Sequence, residues 1–405
     1  MSILAPIVRP LSLTPRWAKN ELWRKARAVP SIDLRFADSK SLVDAYTGQS
    51  LVTFTRASSG TFVGSNGLVQ TAATDVPRFD HNPTTGESLG LLVEEARTNL
   101  LLRSEAIATG PWFNSNVTST NNTSDVLDPV GGSTATKVVA TGSNSAFGQP
   151  LTLTAAIHAG SIWLRSATGN ISAQLIVYLG GAPFTNIGTT NVTITTTWQR
   201  FSVITSAATA ASYNIQLNNI GAGTVYAWGA QLEAGAFATS YIPTTSATVT
   251  RAADVASITG TNFSSWYNQT EGTFYTENRI GGFQTNFYPN VFNANDSTNN
   301  NVINAYRLDY AIRYIYGVIA GGVVQTGFSQ SPLIAAGAVA KMATAVATNN
   351  GILVVNGTEQ GADSSLTMPT NINRLQILGG GDMTIRRICY WPTRLANSTL
   401  QTITQ

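Results

Sequence analysis

One cysteine, two histidines and 11% charged residues in a chain of 405 leave the sequence short of the groups from which most reactive sites are built. The single thiol, Cys389, excludes an intrachain disulfide, so the fold must rest on burial, sheet hydrogen bonds or subunit contacts. Beside Tyr390 and Trp391 it reads as a small buried hydrophobe. A Ser–His–Asp arrangement needs an imidazole, and only His81 and His158 exist. His81 lies in the polar run RFDHNPTTGE and His158 at a strand start before a glycine; both read as surface or turn residues rather than general bases. Long apolar runs are missing as well. The opening MSILAPIVRPLSLTP is interrupted by Pro6, Arg9 and Pro10, and no other stretch reaches bilayer length. A soluble chain made in the cytosol, with no membrane partner, is the expectation.

Glycosidase chemistry needs two carboxylates held across a scissile bond. Glu94 and Glu95 are adjacent and point to opposite sides of a strand. Glu271 and Glu277, in EGTFYTE, lack an acid between them. Asp75, Asp80, Asn82 and Glu87 offer oxygen ligands of the kind calcium prefers, but their spacing fits no calcium loop and they read as turn residues. No catalytic residue, metal or cofactor is therefore expected, and the chain does not read as an enzyme.

What fills the space is Thr, Ser, Asn, Gly and Ala, with β-branched and aromatic residues, a mixture that favours strands and tight turns. The length exceeds what one core usually serves. An all-β fold of tandem antiparallel β-sandwich, jelly-roll domains after a short N-terminal arm is predicted. Residues 1–30 form the arm: six cations, among them Arg24, Lys25 and Arg27, stand against Glu21 alone, a local charge of +5 in a chain whose total is +3. A short basic arm on an acidic body is a poor design for nucleic acid. It suits docking on a larger particle, with Trp17 and Trp23 as interface anchors and Arg24, Lys25 and Arg27 as the charged contacts. The arm is expected to order on its partner and to contribute no core residue.

Residues 31–98 carry short alternating runs such as LVTFTRA and GTFVG and read as a small β-rich N-terminal domain and hinge, where Glu94 or Glu95 pairs with Arg97. Residues 99–246 hold about eight strand-like runs and read as one jelly roll. Its tryptophans Trp163, Trp198 and Trp228 fall in or beside apolar strands and are assigned to the core. Trp112, beside Pro111 and close to Asn114, is the ring best placed to stack on a sugar. Residues 247–405 read as a second sandwich, with hairpin turns at NNG (349–351) and NG (356–357) and a short terminal helix in LANSTLQTITQ.

Three segments, in order, resemble tailed-bacteriophage virion proteins of the head-spike and fibre kind: FTRASSGTFVGSNGLVQTAATDVPRFDHNPTTGESLGLLVEEARTNLL (54–101), WGAQLEAGAFATSYIPTTSATVTRAAD (228–254) and RLQILGGGDMTIRRICYWPTRLANSTLQTIT (374–404). The resemblance implies a carbohydrate-binding-module-like jelly roll between the first two segments and a concanavalin- or laminin-G-like sandwich after them. It also implies a non-enzymatic head fibre, spike or decoration protein of the virion, made in the host cytoplasm. Its partners would be capsid, neck or tail proteins and further copies of itself, with a trimer favoured. The alternatives are an adhesin recognising a host surface glycan and, further off, a polysaccharide depolymerase.

Overall fold

The computed structural model describes residues 20–181, 184–279, 290–308, 313–329, 334–335, 337–378 and 383–405. Among these, antiparallel strands dominate and the four helices are short. The all-β expectation holds.

Two five-stranded sheets build the jelly roll. One runs Gln199–Ile204, His158–Ser166, Gly223–Ala234, Thr136–Ala140, Val117–Thr120; the other runs Asn186–Ile194, Ile171–Leu179, Ala211–Asn218, Ala146–Leu153, Phe113–Ser115. Alternate residues of each strand face inward, as the period of two requires. Leu175 and Val177 meet Leu164 and Val225 in one dry cluster, while Gln174 and Tyr178 face out.

The second sandwich pairs a seven-stranded sheet with an eight-stranded one. Residues 31–98, set apart above as a small domain, share these sheets. Thr53–Thr55 pairs with Val255–Thr259, Ser88–Leu92 with Thr384–Trp391, and Ile32–Leu34 also with Thr384–Trp391. The strand run has thus crossed from one end of the chain to the other. Between the two sheets Phe274, Ile388 and Tyr390 pack on Ile258, Phe292 and Tyr316. The hairpin signals are in place, with Asn356 and Gly357 both in the left-handed region (φ 46° and 79°) that the two-residue turn demands.

The eight-stranded sheet is buried on its other face too. Tyr275, Cys389 and Trp391, which alternate with the core residues just named, are covered by the helices Glu21–Ala26 and Asn397–Ile403 through Leu22, Trp23, Ala26, Leu400 and Ile403. The predicted terminal helix is therefore present. The predicted coreless arm is not. Trp23 is only 4% exposed, its Nε1–H donates to Asp33 Oδ2 at 2.9 Å, and its ring lies against Tyr46. Asp33 in turn is gripped by Arg387 and Arg35, each at 2.7 Å, and accepts from Cys389 Sγ. A large apolar face on a sheet edge-to-edge with this strand needs a cover, and the helix of residues 21–26 supplies it.

Candidate functional site

The residues of the first two long segments converge where the jelly roll meets the second sandwich. Arg56 Nη1 lies 3.1 Å from Asp254 Oδ1, and Arg78 pairs with the other oxygen of Asp254. Arg78 and Arg251 both reach Glu94 Oε2, at 2.8 and 3.0 Å. All five side chains are at most 2% exposed. Burying such charges costs several kcal/mol per ion unless every remaining donor and acceptor is met. Most are: Arg56 also donates to the carbonyls of Ser58, Ala73 and Val76, while Glu94 accepts from Ser240 N at 2.8 Å and Ser240 Oγ at 2.7 Å. Burial alone would raise the Glu94 pKa, but Arg251, Arg78 and Ser240 hold the carboxyl at about 2. Asn99 completes the junction. Its amide donates to the carbonyls of Ala230 and Ile242 and its oxygen accepts from Leu101 N and Leu232 N, so all its bonds bind the jelly roll to its own exit. Glu95 pairs with Arg97 at 2.7 Å, as the sequence suggested, whereas Glu94 does not. This assembly ties residues 54–101 to residues 228–254.

The surface with recognition chemistry is the outward face of the sheet built on Ile171–Leu179. Tyr178 stands beside Phe184, ring centroids 5.7 Å apart and nearly perpendicular, and Phe184 is 70% exposed. Isolated exposed aliphatic residues are ordinary; here an exposed aromatic ring stands beside a second ring and a row of amides, groups that offer a stacking surface and hydrogen-bonding atoms side by side. Tyr178 OH donates to Gln216 Oε1 at 3.2 Å. Next along the strand, Asn219 Nδ2 donates to Gln174 Oε1 and Gln174 Nε2 to Asn191 Oδ1, both at 3.0 Å. Asn186 and Asn218 border the ring pair. At the far edge Phe113 lies over Gly148, where an added Cβ would come within 2.9 Å of the Phe113 ring and 2.5 Å of Gln216 Cβ. A side chain at position 148 would collide with Gln216, the Ile215 carbonyl and the Phe113 ring, so the close approach here requires a glycine.

The residue chosen from sequence for sugar stacking is the neighbour of one that faces out. Trp112 is 8% exposed, packs on Phe147 and donates Nε1–H to the Leu102 carbonyl at 3.0 Å. It belongs to the core, because successive residues entering a strand point to opposite faces. Asn114 is exposed but stands in register with Phe147 and accepts from Ser119 Oγ at 2.8 Å, away from the rings. The two are not brought together on the amide face. Trp163 and Trp228 are core as expected, and Trp198 is half-buried, donating to the Leu127 carbonyl. Phe113, Tyr178 and Phe184 went unnoticed; the alternation across Ile171–Leu179 already placed Tyr178 outside.

Of the docking residues, Trp17 lies outside the described residues and Trp23 is buried. Arg24, Lys25 and Arg27 remain at the surface and line a cleft with Ser398, Thr399 and Thr402, Lys25 pairing with Glu21 at 3.3 Å. Both histidines are buried rather than in surface turns, with Nδ1 donating to the carbonyls of Val63 and Ala156. The four oxygen residues weighed for calcium are dispersed. Asp75 accepts from Arg56 N, Asp80 from Val63 N and Asn82 from Thr84 N, while Glu87 pairs with Arg386. Among the described residues no group of three or more His, Cys, Asp or Glu could hold a metal ion.

No family model matches this chain, and no curated protein does. Among solved structures it is similar to a CBM4 module at 16% identity, over 30% of this chain and 86% of that one, with a TM-score of 0.25. It is also similar to the CBM40 of a Ruminococcus gnavus IT-sialidase, bound to α2,3-sialyllactose, at 12% identity over 36% and 88%, TM-score 0.30. A third is a Trypanosoma rangeli sialidase, at 12% identity over 37% of this chain and 26% of that one, TM-score 0.29. The chain spans about a quarter of that enzyme. Scores of this size carry no weight for function.

Proposed function

We propose that this is a non-enzymatic glycan-binding protein whose jelly roll recognises carbohydrate through the outward sheet face bearing Tyr178, Phe184, Gln216 and the amides beside them. The observation that carries the reading is the exposed Tyr178–Phe184 pair set at the end of a hydrogen-bonded amide row. Rings give a sugar its stacking surface and amides give its hydroxyls fixed partners. Full-length protein retained on host cell-surface polysaccharide, and released when Phe184 is replaced by Ala, supports it; equal retention of both contradicts it. Reducing sugar released from that polysaccharide would replace this reading with a depolymerase.

The sequence resemblance supports a setting for this activity: a tailed-phage virion, as a head fibre, spike or decoration protein acting as an adhesin, in several copies with a trimer favoured. Attachment would then fall to Arg24, Lys25 and Arg27 rather than to Trp23, facing an acidic surface of capsid, neck or tail. Antibody labelling of purified particles tests the setting independently of the sugar.

A further inference from the structure

The seven-stranded sheet of the second sandwich carries, on the face turned away from its core, a polar row that crosses every strand. Ser257 stands in register with Thr53 and with Gln376, Asn293 with Gln376 and with Asn304, and Gly317 with Asn304 and with Gly327. The chain neighbours Phe54, Ala256, Leu375, Phe292, Ala305 and Val318 all lie in the core, so by alternation the row faces out, and none of its members is buried. With strands ~4.8 Å apart, the row is ~29 Å long.

Two of its amides are held in place. Asn295, 2% exposed, donates Nδ2–H to Asn293 Oδ1 at 3.1 Å and to Gln376 Oε1 at 3.0 Å, and its own oxygen accepts from Arg374 Nε at 2.6 Å. Those bonds engage the two oxygens, and no bond among the described residues uses the N–H2 group of Asn293 or Gln376. At the glycine end the row sinks. Gly317 and Gly327 place no side chain there, and a cleft of about 320 Å³ opens between Tyr306 on one side and Ile319 with Val324 on the other. Small-molecule pockets begin at roughly that size, about 300 Å³.

Charge and chemistry select the occupant. The row holds amides, hydroxyls and bare backbone but no charged group, and Arg374, the cation that flanks it, is turned to Asn295. The complement is an uncharged chain whose hydroxyls both donate and accept. A peptide would pair along a sheet edge, where backbone groups are open, rather than across a face. We propose that this row is a binding track for a neutral, unbranched polysaccharide that runs across the strands, with one sugar seated against Tyr306 in the glycine cleft. It lies on the other sandwich and does not rest on the jelly-roll face. The ring pair there offers one stacking place, whereas this row selects long chains.

Affinity electrophoresis of the full-length protein through gels cast with amylose, mannan, xylan or polygalacturonate tests this, run on Phe184→Ala beside wild type so that the two faces are told apart. Phe184→Ala is expected to be retarded by at least one of the neutral polymers and not by polygalacturonate. The matching disaccharide should fail to relieve the retardation, because a short fragment meets only part of the row. In that background Asn293→Ala removes a donor while Asn295 keeps Gln376 as an acceptor, and should weaken retention about two- to tenfold at unchanged unfolding temperature, the worth of one net hydrogen bond. Gly327→Leu fills the cleft floor from an edge strand, where an added Cβ meets nothing within 4 Å, and should weaken it as well. Retention lost with Phe184→Ala belongs to the jelly roll; retention that persists there and falls with Asn293→Ala or Gly327→Leu belongs to this row. Passage of Phe184→Ala unretarded by all three neutral polymers, equal retardation by polygalacturonate, full relief by the disaccharide, or unaltered retention in both folded variants overturns the proposal.

Discussion

Arg56 and Asp254, 198 residues apart in the chain, meet at 3.1 Å with both side chains fully buried. Around this pair the most distinctive stretches of the sequence find their use: Arg78, Glu94 and Arg251 fill the same junction, tying residues 54–101 to residues 228–254. Three guanidiniums share two carboxylates, each carboxylate pairing with two of them, so neutralising either one takes an ion-pair partner from two buried arginines.

Glu94→Gln is accordingly expected to destabilise the protein by about 3–5 kcal/mol, the usual cost of breaking a buried ionic network from one side. Urea unfolding followed by tryptophan fluorescence measures it. The Glu94 carboxyl is held at about 2 against an ordinary 4.5. Its folded pKa is lowered, so its contribution is complete above pH 4.5 and disappears as pH falls through 2. The loss is on the order of 3 kcal/mol. Glu94→Gln should show no such acid loss.

Asp80 works in the opposite direction. Burial pushes its carboxyl up to about 6 from 3.8, against the Val63 N–H bond and with the Glu94 charge adding to the rise. The folded state holds this proton more tightly, so stability falls as pH rises from about 4 to about 6 and is flat above. Asp80 keeps some exposure, which reduces the effect to on the order of 1–2 kcal/mol. Asp80→Asn keeps an acceptor for Val63 N and should remove the slope, gaining stability at pH 7 relative to wild type. Thermal midpoints taken between pH 4 and pH 7 decide it; parallel curves for the two proteins would count against the assignment.

Removal of residues 1–28 is expected to damage the fold. It strips Leu22, Trp23 and Ala26 from the face formed by Tyr275, Cys389 and Trp391. Trp23→Ala alone should cost about 3–5 kcal/mol, the range for deleting a large buried aromatic side chain. A thiol reagent reads this directly: Cys389, buried and with its pKa pushed up, should be inert in the intact protein and reactive in the truncated one.

Much of the architecture was legible. Alternation marked Ile171–Leu179, and Asn-Gly marked the turns at 349–351 and 356–357, because these signals are local and are enforced by backbone geometry. The pairing of Ile32–Leu34 with Thr384–Trp391 was not, since nothing in either run names a partner more than 350 residues away. The meeting of Arg56, Arg78 and Arg251 at one junction was hidden for the same reason. Trp23 misled through its setting: a tryptophan among basic residues resembles an interface anchor, yet a basic helix with one apolar side covers a sheet equally well. At the candidate face the error was a single residue. Trp112 is the larger ring, but strand alternation turns it inward and Phe113 outward.

The central claim is that the amide and aromatic face of the jelly roll binds carbohydrate, and a quantitative glycan array run with wild type and with a Tyr178→Ala, Phe184→Ala double variant tests it most directly. Wild type should bind a restricted set of glycans, and the double variant, folded to the same thermal midpoint, should bind them at least about tenfold more weakly, since aromatic contacts of this kind are each worth roughly 0.5–1.5 kcal/mol. An array on which wild type binds nothing, or on which the folded double variant binds as wild type does, contradicts the account.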